Sequence, residues 1–345
     1  MKKIILTLLV VSLFSTSTFA FSFLGKKKSF ELQVVPTFNS EVIAENKLWV
    51  GTFELVWNEL MDNVINAPIK FIDGENYLAN EFNKQEFKKD FLSENSYYTT
   101  HGYMTNEFKK SIEAAILKKF NEKSDILDTL EWSDRNFLVY AMLKKDFEFI
   151  KAFKELKKAK FAGNGKKVRY FGLERNSDIE ARNSVSVLFY NSPRDFAVKI
   201  STKADDNLIL YRTDDNTSLA RMYADVLTKT ANYEGARTFT AKDRLRVPFI
   251  EFKKSNSYEE LVGKRIIDTD FVINKTLQTV DFKMDNKGVK LKSEGALVMT
   301  MSCLPVVEKE NRNFYFDDVF VLYLIEKEKP YFALRVANVE ELNKN

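Results

Sequence analysis

The sequence predicts an α+β fold with a large, mostly antiparallel central sheet, additional sheets and flanking helices. Two observations support this prediction. In the first third of the chain, apolar residues recur at helical spacing, whereas most later apolar segments are short and strand-like. The last hundred residues contain several such segments separated by polar turns. Because no internal repeat or low-complexity linker interrupts the chain, we expect a single domain over residues 21–345.

The N-terminus has the three parts of a secretory signal. Lys2 and Lys3 precede an apolar run of about 11 residues, and small residues end the segment at Ala20. This run is too short to span a membrane, which takes about 20 residues. A buried N-terminal helix is the alternative. We therefore expect a signal peptide over residues 1–20, an exported mature chain that is secreted or periplasmic, and no integral membrane segment once the signal is removed.

Composition and motifs argue against several classes of function. The formal net charge of +4 is too small to predict nucleic-acid binding. His101 is the only histidine and Cys303 the only cysteine, so the sequence offers no ordinary zinc site. His101 lies in a Tyr-rich segment without a nucleophile motif, and no phosphate-binding or dinucleotide-binding glycine pattern occurs. We therefore expect no catalytic residues, no metal, no cofactor and no enzymatic activity.

The first half of the chain predicts two clear helices. Apolar residues at helical spacing indicate a core helix over residues 48–64 and a second helix over residues 106–123, with Thr105 or Asn106 as its N-cap. Between them, residues 71–103 are polar and aromatic without a clean period, which predicts irregular chain with short helices. The lysines of the second helix indicate a solvated outer face, or alternatively a surface for acidic partners or membranes.

Most of the remaining segments predict strands. A helix over residues 218–231 and a short helix over 257–262 interrupt them. Pro248 lies inside one predicted strand, which indicates an edge or a bulge. The predicted strands are 136–143, 168–173, a hairpin of 185–190 with 196–200, then 245–252, 279–284, and a C-terminal hairpin of 314–325 with 331–336.

The order of segments in the C-terminal third resembles that of the serpin (serine protease inhibitor) superfamily. A strand over residues 279–284 is followed by the polar break Asp285-Asn286-Lys287-Gly288, a long segment, and two closing strands. The closing strands resemble the family's F-x-x-P-F-x-F-x-I, turn and L-F-x-G-x-V-x-N. The chain also departs from the family: Gln278 stands in place of the sheet-opening histidine, Val319 in place of the proline of the closing segment, and Leu334 in place of the glycine of the last strand.

The resemblance implies a serpin-like domain with an exposed reactive loop at about residues 289–313 and a protease as the partner. In family inhibitors, a protease cuts this loop, and the loop then inserts into the central sheet together with the trapped enzyme. The implied hinge is Gly288, Val289, Lys290, Leu291, Lys292, Ser293, Glu294 and Gly295. The implied cleavage region is Met301, Ser302, Cys303 and Leu304.

The hinge sequence leaves two functions open. Val289, Leu291, Ser293 and Gly295 alternate with charged residues, so the segment can lie as a strand with one buried face. Family inhibitors carry small residues there, and two lysines and a glutamate argue against rapid insertion. The first function is a protease inhibitor that inserts its loop. The alternative is a non-inhibitory serpin-like binding or envelope protein, in which the charges mark the wet face of a strand that is permanently in place.

Overall fold

Three β-sheets form the framework of the structure, a computed structural model that describes residues 31–162, 167–292 and 311–342. The strands in these ranges are β1 (Leu32–Val34), β2 (Asn46–Val50), β3 (Tyr97–Tyr103), β4 (Phe137–Glu148), β5 (Lys154–Lys160), β6 (Lys167–Leu173), β7 (Val185–Ser192), β8 (Asp195–Ser201), β9 (Asn207–Arg212), β10 (Arg244–Pro248), β11 (Ile250–Asn256), β12 (Gln278–Met284), β13 (Gly288–Lys292), β14 (Asn313–Tyr315), β15 (Phe320–Glu326) and β16 (Lys329–Val336). The helices are α1 (Thr52–Leu60), α2 (Tyr77–Asn83), α3 (Asn106–Phe120), α4 (Ile179–Asn183) and α5 (Leu219–Asn232).

The sheets contain seven, five and four of these strands. Their orders are β1-β2-β16-β15-β9-β8-β7, β11-β12-β13-β4-β3 and β14-β10-β6-β5. The five-stranded sheet, called the central sheet below, is antiparallel throughout. Parallel pairing occurs between β1 and β2 and between β10 and β14. The predicted α+β class, with a mostly antiparallel central sheet, further sheets and flanking helices, is confirmed.

One large core joins the inner faces of the sheets. Phe282 of the central sheet stacks on Phe332 of the seven-stranded sheet, with ring centroids 4.5 Å apart. A second cluster surrounds α1 and α2, and a third lies between α3 and the outer face of β3 and β4. The central sheet is therefore covered on both faces near β4.

The predicted helix over residues 48–64 is wrong at its start. Leu48, Trp49 and Val50 belong to β2, and these three buried apolar residues lead directly into the apolar positions of the helix. The helix begins only after Gly51, where an added Cβ would lie 2.2 Å from the ring of Phe87. A π-helical segment, Met61–Ile65, extends α1 beyond Leu60.

Other predicted bounds also change. Residues 97–103 form the edge strand β3 instead of irregular chain, because their half-buried Tyr and Thr side chains hide the apolar alternation. The single strand predicted over 245–252 is two strands, β10 and β11, which belong to different sheets and separate after Pro248. In α5, the apolar residue Leu227 is 52% exposed.

The C-terminal hairpin is confirmed for β15 and β16, with a tighter turn than predicted. The predicted strand over 314–325 is wrong at its start, because residues 313–315 form β14 in the four-stranded sheet. β15 and β16 pair antiparallel along their length, and Glu326 pairs with Lys329. The two residues between them, Lys327 and Glu328, have φ angles of 41° and 64°. Both residues therefore adopt the left-handed conformation that a two-residue hairpin turn requires.

Candidate functional site

The first five residues of the predicted hinge form β13, inside the central sheet. Val289 pairs with Met284 of β12 on one side and with Phe147 of β4 on the other. Leu291 likewise lies between β12 and β4, and the side chains of Val289 and Leu291 are fully buried in the large core. The structure thus places Gly288 to Lys292 in a strand and not in an exposed loop.

The two hinge lysines occupy the opposite, outer face of β13. Lys290 Nζ lies 3.2 Å from a carboxylate oxygen of Asp146. Lys292 Nζ lies 2.9 Å from Asp125 and donates a hydrogen bond of 2.8 Å to the carbonyl of Lys123. Because the lysines face solvent and acidic partners, they do not prevent this part of the hinge from lying in the sheet.

The turn from β12 to β13 requires glycine at position 288. An added Cβ there would lie 2.2 Å from the carbonyl oxygen of Phe147, so the backbones of β13 and β4 approach more closely than a side chain allows. The Asp285 carboxylate accepts a 2.8 Å hydrogen bond from the Lys287 amide. The Asn286 side chain donates to the Phe153 carbonyl over 3.1 Å, which holds the turn against the segment that follows β4.

Beyond Lys292, no strand of the described residues lies between β4 and β12. β13 pairs with β4 only from Lys144 to Glu148, and β4 continues from there back to Phe137. A cavity of about 860 Å³ lies beside this part of β4, on the side opposite its pairing with β3. Its lining includes residues 137–142 of β4, Leu277, Gln278 and Thr279 at the start of β12, Lys292 at the end of β13, and Thr52, Phe53, Val56, Trp57 and Leu60 of α1. The cavity therefore continues the line of β13.

Gln278 lies at the wall of this cavity, at the position where the resemblance leads one to expect a histidine. Its side-chain carbonyl accepts a 2.6 Å hydrogen bond from the Tyr258 hydroxyl. Its amide donates a 3.1 Å hydrogen bond to the carbonyl of Val50. The buried glutamine thus ties β12 to β2 and to the segment that follows β11.

A buried ionic network lies beneath β13, and the sequence reasoning missed it. Lys145 pairs with Leu291 in register, and its Nζ lies 2.9 Å from Asp206 and 3.3 Å from Glu326. The Tyr331 hydroxyl donates a 2.9 Å hydrogen bond to Asp206. A signal was present, since strand alternation places Lys145 on the same inward face as Leu143 and Phe147.

The network holds two carboxylates against one ammonium group. Burial raises the pKa of Glu326 to about 7, and burial also raises the pKa of Asp206 despite Lys145 nearby. One carboxylate oxygen of Glu326, Oε1, has no hydrogen-bond partner among the described residues. Because an unpaired buried charge is costly, protonation of Glu326 stabilises the network.

The chain is also held firmly just before β14. Arg312, one residue before β14, forms a bidentate pair with the buried Asp243, with distances of 3.1 and 2.9 Å. Its guanidinium group also donates to the carbonyls of Ala236 and Thr238. Both ends of the predicted loop are therefore attached to sheets, through β13 on one side and Arg312 on the other.

The remaining predicted site residues lie outside the described residues. They are Ser293, Glu294 and Gly295 of the hinge and Met301, Ser302, Cys303 and Leu304 of the cleavage region. His101 lies on β3, where its Nδ1 is 2.8 Å from Glu59 of α1. Within the described ranges, no cluster of His, Cys, Asp or Glu side chains has the arrangement of a metal site. No helix in those ranges has the length and apolar character needed to cross a membrane.

The chain matches no family model and no curated protein sequence. Among solved structures it is similar to a cleaved serpin, Serpin 42Da, with a TM-score of 0.53 at 12% identity, covering 86% of this chain and 93% of that chain. The chain has a serpin fold. The resemblance inferred from the sequence is thus confirmed at the level of the fold, and the match extends well beyond the C-terminal third.

Two further similar structures differ in what they are described to do. Serpin48 from the insect Tenebrio molitor, described as a highly specific serpin, matches with a TM-score of 0.49 at 12% identity, covering 88% of this chain and 95% of that chain. Thyroxine-binding globulin in complex with thyroxine matches with a TM-score of 0.48 at 10% identity, covering 85% and 93%.

Proposed function

We propose that this serpin-fold protein is an exported protease inhibitor that acts through an exposed loop, which begins after Lys292 at the end of β13 and not at residue 289. In this mechanism a protease cuts the loop, and the loop then fills the opening in the central sheet. The observation that supports the proposal is the position of β13 between β12 and β4, with a cavity that continues its line. β13 would thus be the first part of the inserted strand, in place before any cut.

The register of β13 defines where further residues would lie after a cut. Gly288 pairs with Glu148, and Lys292 pairs with Lys144, so each later residue pairs with an earlier position of β4. If this register continues, residue 293 lies opposite Leu143 and residue 299 lies opposite Phe137, where β4 begins. Residues 293–299 therefore match the length of the opening.

The side chains of this segment also suit the opening. Because Val289 and Leu291 face inward, an inserted strand would place Ser293, Gly295, Leu297 and Met299 inward as well. Burial of each of the two large apolar side chains contributes about 1.5–3 kcal/mol. Each new ladder hydrogen bond adds about 1 kcal/mol. Insertion would thus release several kcal/mol, which is the driving force that a trap mechanism needs.

Limited proteolysis followed by thermal unfolding tests the proposal. We expect a protease with apolar preference to cut within residues 301–304, and the cut protein to melt at least about 10 °C higher, since several kcal/mol shifts the melting temperature of a large domain by this amount. Incubation with the active protease should also yield a covalent complex of the two proteins on a denaturing gel.

A pair of substitutions separates insertion from mere cleavage. Leu297→Asp places a charge on the inward face of an inserted strand, so the cut variant should lose the rise in melting temperature. Val298→Asp places the same charge on the outer face, opposite the half-buried Leu138, and should retain more of the rise. If both variants behave alike, the inserted register proposed here is wrong.

A non-inhibitory binding function is the second candidate. It is supported by the ion pairs of Lys290 and Lys292, which hold β13 in place, and by a cavity large enough for a small organic ligand. A loop that resists proteases, or a cut form that melts at the original temperature, would favour this function and exclude the trap.

A further inference from the structure

Strand β5 carries an unbalanced positive charge along an open sheet edge. It is the end strand of the four-stranded sheet and pairs only with β6 among the described strands. Lys154 and Arg169 pair with Glu174 and Glu155. The side chains of Lys157, Lys158, Lys160 and Lys167 are exposed, and no ion pair joins them to any residue in the described ranges.

The geometry of β5 opposes the addition of another strand. The pairing with β6 shifts register between Leu156 and Ala159, so Lys157 and Lys158 lie in a bulge. Bulges and lysines at a sheet edge prevent pairing with a further strand. A partner at this edge would therefore contact the lysine side chains and not pair with the backbone.

The position of β5 relates it to the predicted reactive loop. The predicted reactive loop ends at β14, which is the opposite edge strand of the same four-stranded sheet. Three strand spacings separate β5 from β14, or about 14 Å. A protease of about 240 residues is roughly 45 Å across. An enzyme bound to a loop that ends at β14 can therefore reach β5.

We propose that β5, together with Lys167, is a docking surface for an acidic face of the protease that attacks the loop. The partner class rests on the proposed function, whereas the surface rests only on the described residues. Opposite charges on two docking surfaces accelerate their encounter by factors of about 10 to 1,000 at low salt. The four lysines would thus favour acidic proteases over basic ones with the same preference for cleavage.

Chymotrypsin and succinylated chymotrypsin provide matched probes. Succinylation converts surface amines into carboxylates and leaves the substrate pocket in place. With the active-site serine converted to dehydroalanine, neither form can cut the loop and the pocket stays open, so binding is measured apart from inhibition. We expect the succinylated enzyme to bind the intact protein at least about tenfold more tightly than the unmodified enzyme at 20 mM salt, and to lose this advantage at high salt.

Two triple variants locate the effect. K157E/K158E/K160E reverses three charges on β5 and should weaken binding of the succinylated enzyme at least about tenfold. The control makes the same change in net charge at exposed lysines elsewhere: K88E, K110E and K118E. It should change the affinity much less, because these residues lie outside the four-stranded sheet.

Several outcomes would overturn the proposal. If both triple variants weaken the binding of the succinylated enzyme equally, the effect is one of net charge alone. Equal binding of the two enzyme forms would show that charge does not select the partner. If K157E/K158E/K160E weakens the binding of dextran sulfate but not that of the succinylated enzyme, the surface binds an acidic polymer instead of a protease. If binding follows the proposal but active enzyme never cuts the loop, the inhibitor function fails and the docking surface stands.

Discussion

At the scale of single residues, the least usual feature is the carboxyl group of Glu326. It is 1% exposed and shares Lys145 with Asp206. Burial raises the pKa of Glu326 from 4.5 to about 7, so the folded protein binds a proton there that the unfolded chain releases at lower pH. This group therefore stabilises the fold fully below about pH 4.5, and its contribution is lost as the pH rises through about 7.

Glu326→Gln removes this titration and keeps the size of the side chain. We expect the unfolding free energy of the natural protein to fall between pH 5 and pH 8, with up to about 3 kcal/mol of the fall due to Glu326. In the variant this part should be missing, so the variant gains stability relative to the natural protein as the pH rises. Urea unfolding at the two pH values measures the difference.

Tyr331→Phe is the matched control for that experiment. It removes the hydroxyl that bonds to Asp206 but leaves both carboxyl groups in place. We expect it to lower the unfolding free energy by about 1 kcal/mol at both pH values. A Glu326→Gln effect of equal size at pH 5 and pH 8 would contradict the titration of Glu326.

At the scale of elements, the turn of the C-terminal hairpin has a backbone conformation that does not suit its two residues. Lys327 and Glu328 both have positive φ, which side chains with a Cβ adopt only at a cost. The combined change Lys327→Asn and Glu328→Gly should stabilise the protein by about 1 kcal/mol, because Asn-Gly fits a two-residue hairpin turn. Lys327→Val should instead destabilise it by about 1–2 kcal/mol. Thermal unfolding of the three proteins checks both signs, and a change in the same direction for both variants would contradict the turn geometry.

The sequence allowed those elements to be predicted whose signals are local. The helix that starts at Asn106, its cap at Thr105 and the final hairpin follow from spacing within one segment. Thr105 indeed accepts a hydrogen bond from the Phe108 amide. The error at Leu48 to Val50 arose because a fully buried strand directly precedes a buried helix, and both give the same apolar run. β3 was missed because its burial is partial on both faces.

At the scale of the whole molecule, the candidate site could be predicted only in part. The hinge lies in one continuous segment, so its alternation was visible in the sequence. The opening beside it is formed by β4, β12 and α1, which are far apart along the chain and meet only in the folded protein. The network of Lys145, Asp206 and Glu326 joins two sheets in the same way and has no local signature beyond one lysine at an inward position.

Hydrogen exchange of the intact and cut proteins would locate the change in the central sheet. In the intact protein, residues 137–143 of β4 pair with β3 but face the cavity on their other side. We expect a cut to increase the protection of these residues and of residues 278–280 in β12, since both would gain a new neighbour. Residues 144–148 already pair with β13 and should change little. An even increase over all of β4 would instead indicate general stiffening without a new strand.

The position of β15 and β16 has a consequence for the covalent state of the protein. Both strands are buried and lie in the middle of the seven-stranded sheet, between β9 and β2. A nick within residues 301–304 would leave them on a short second polypeptide with hydrogen-bonded neighbours on both sides. Such a protein would be a non-covalent heterodimer, with two bands under denaturing conditions and one species by size-exclusion chromatography. Its small subunit could leave only by dismantling the sheet that the large subunit needs to stay folded.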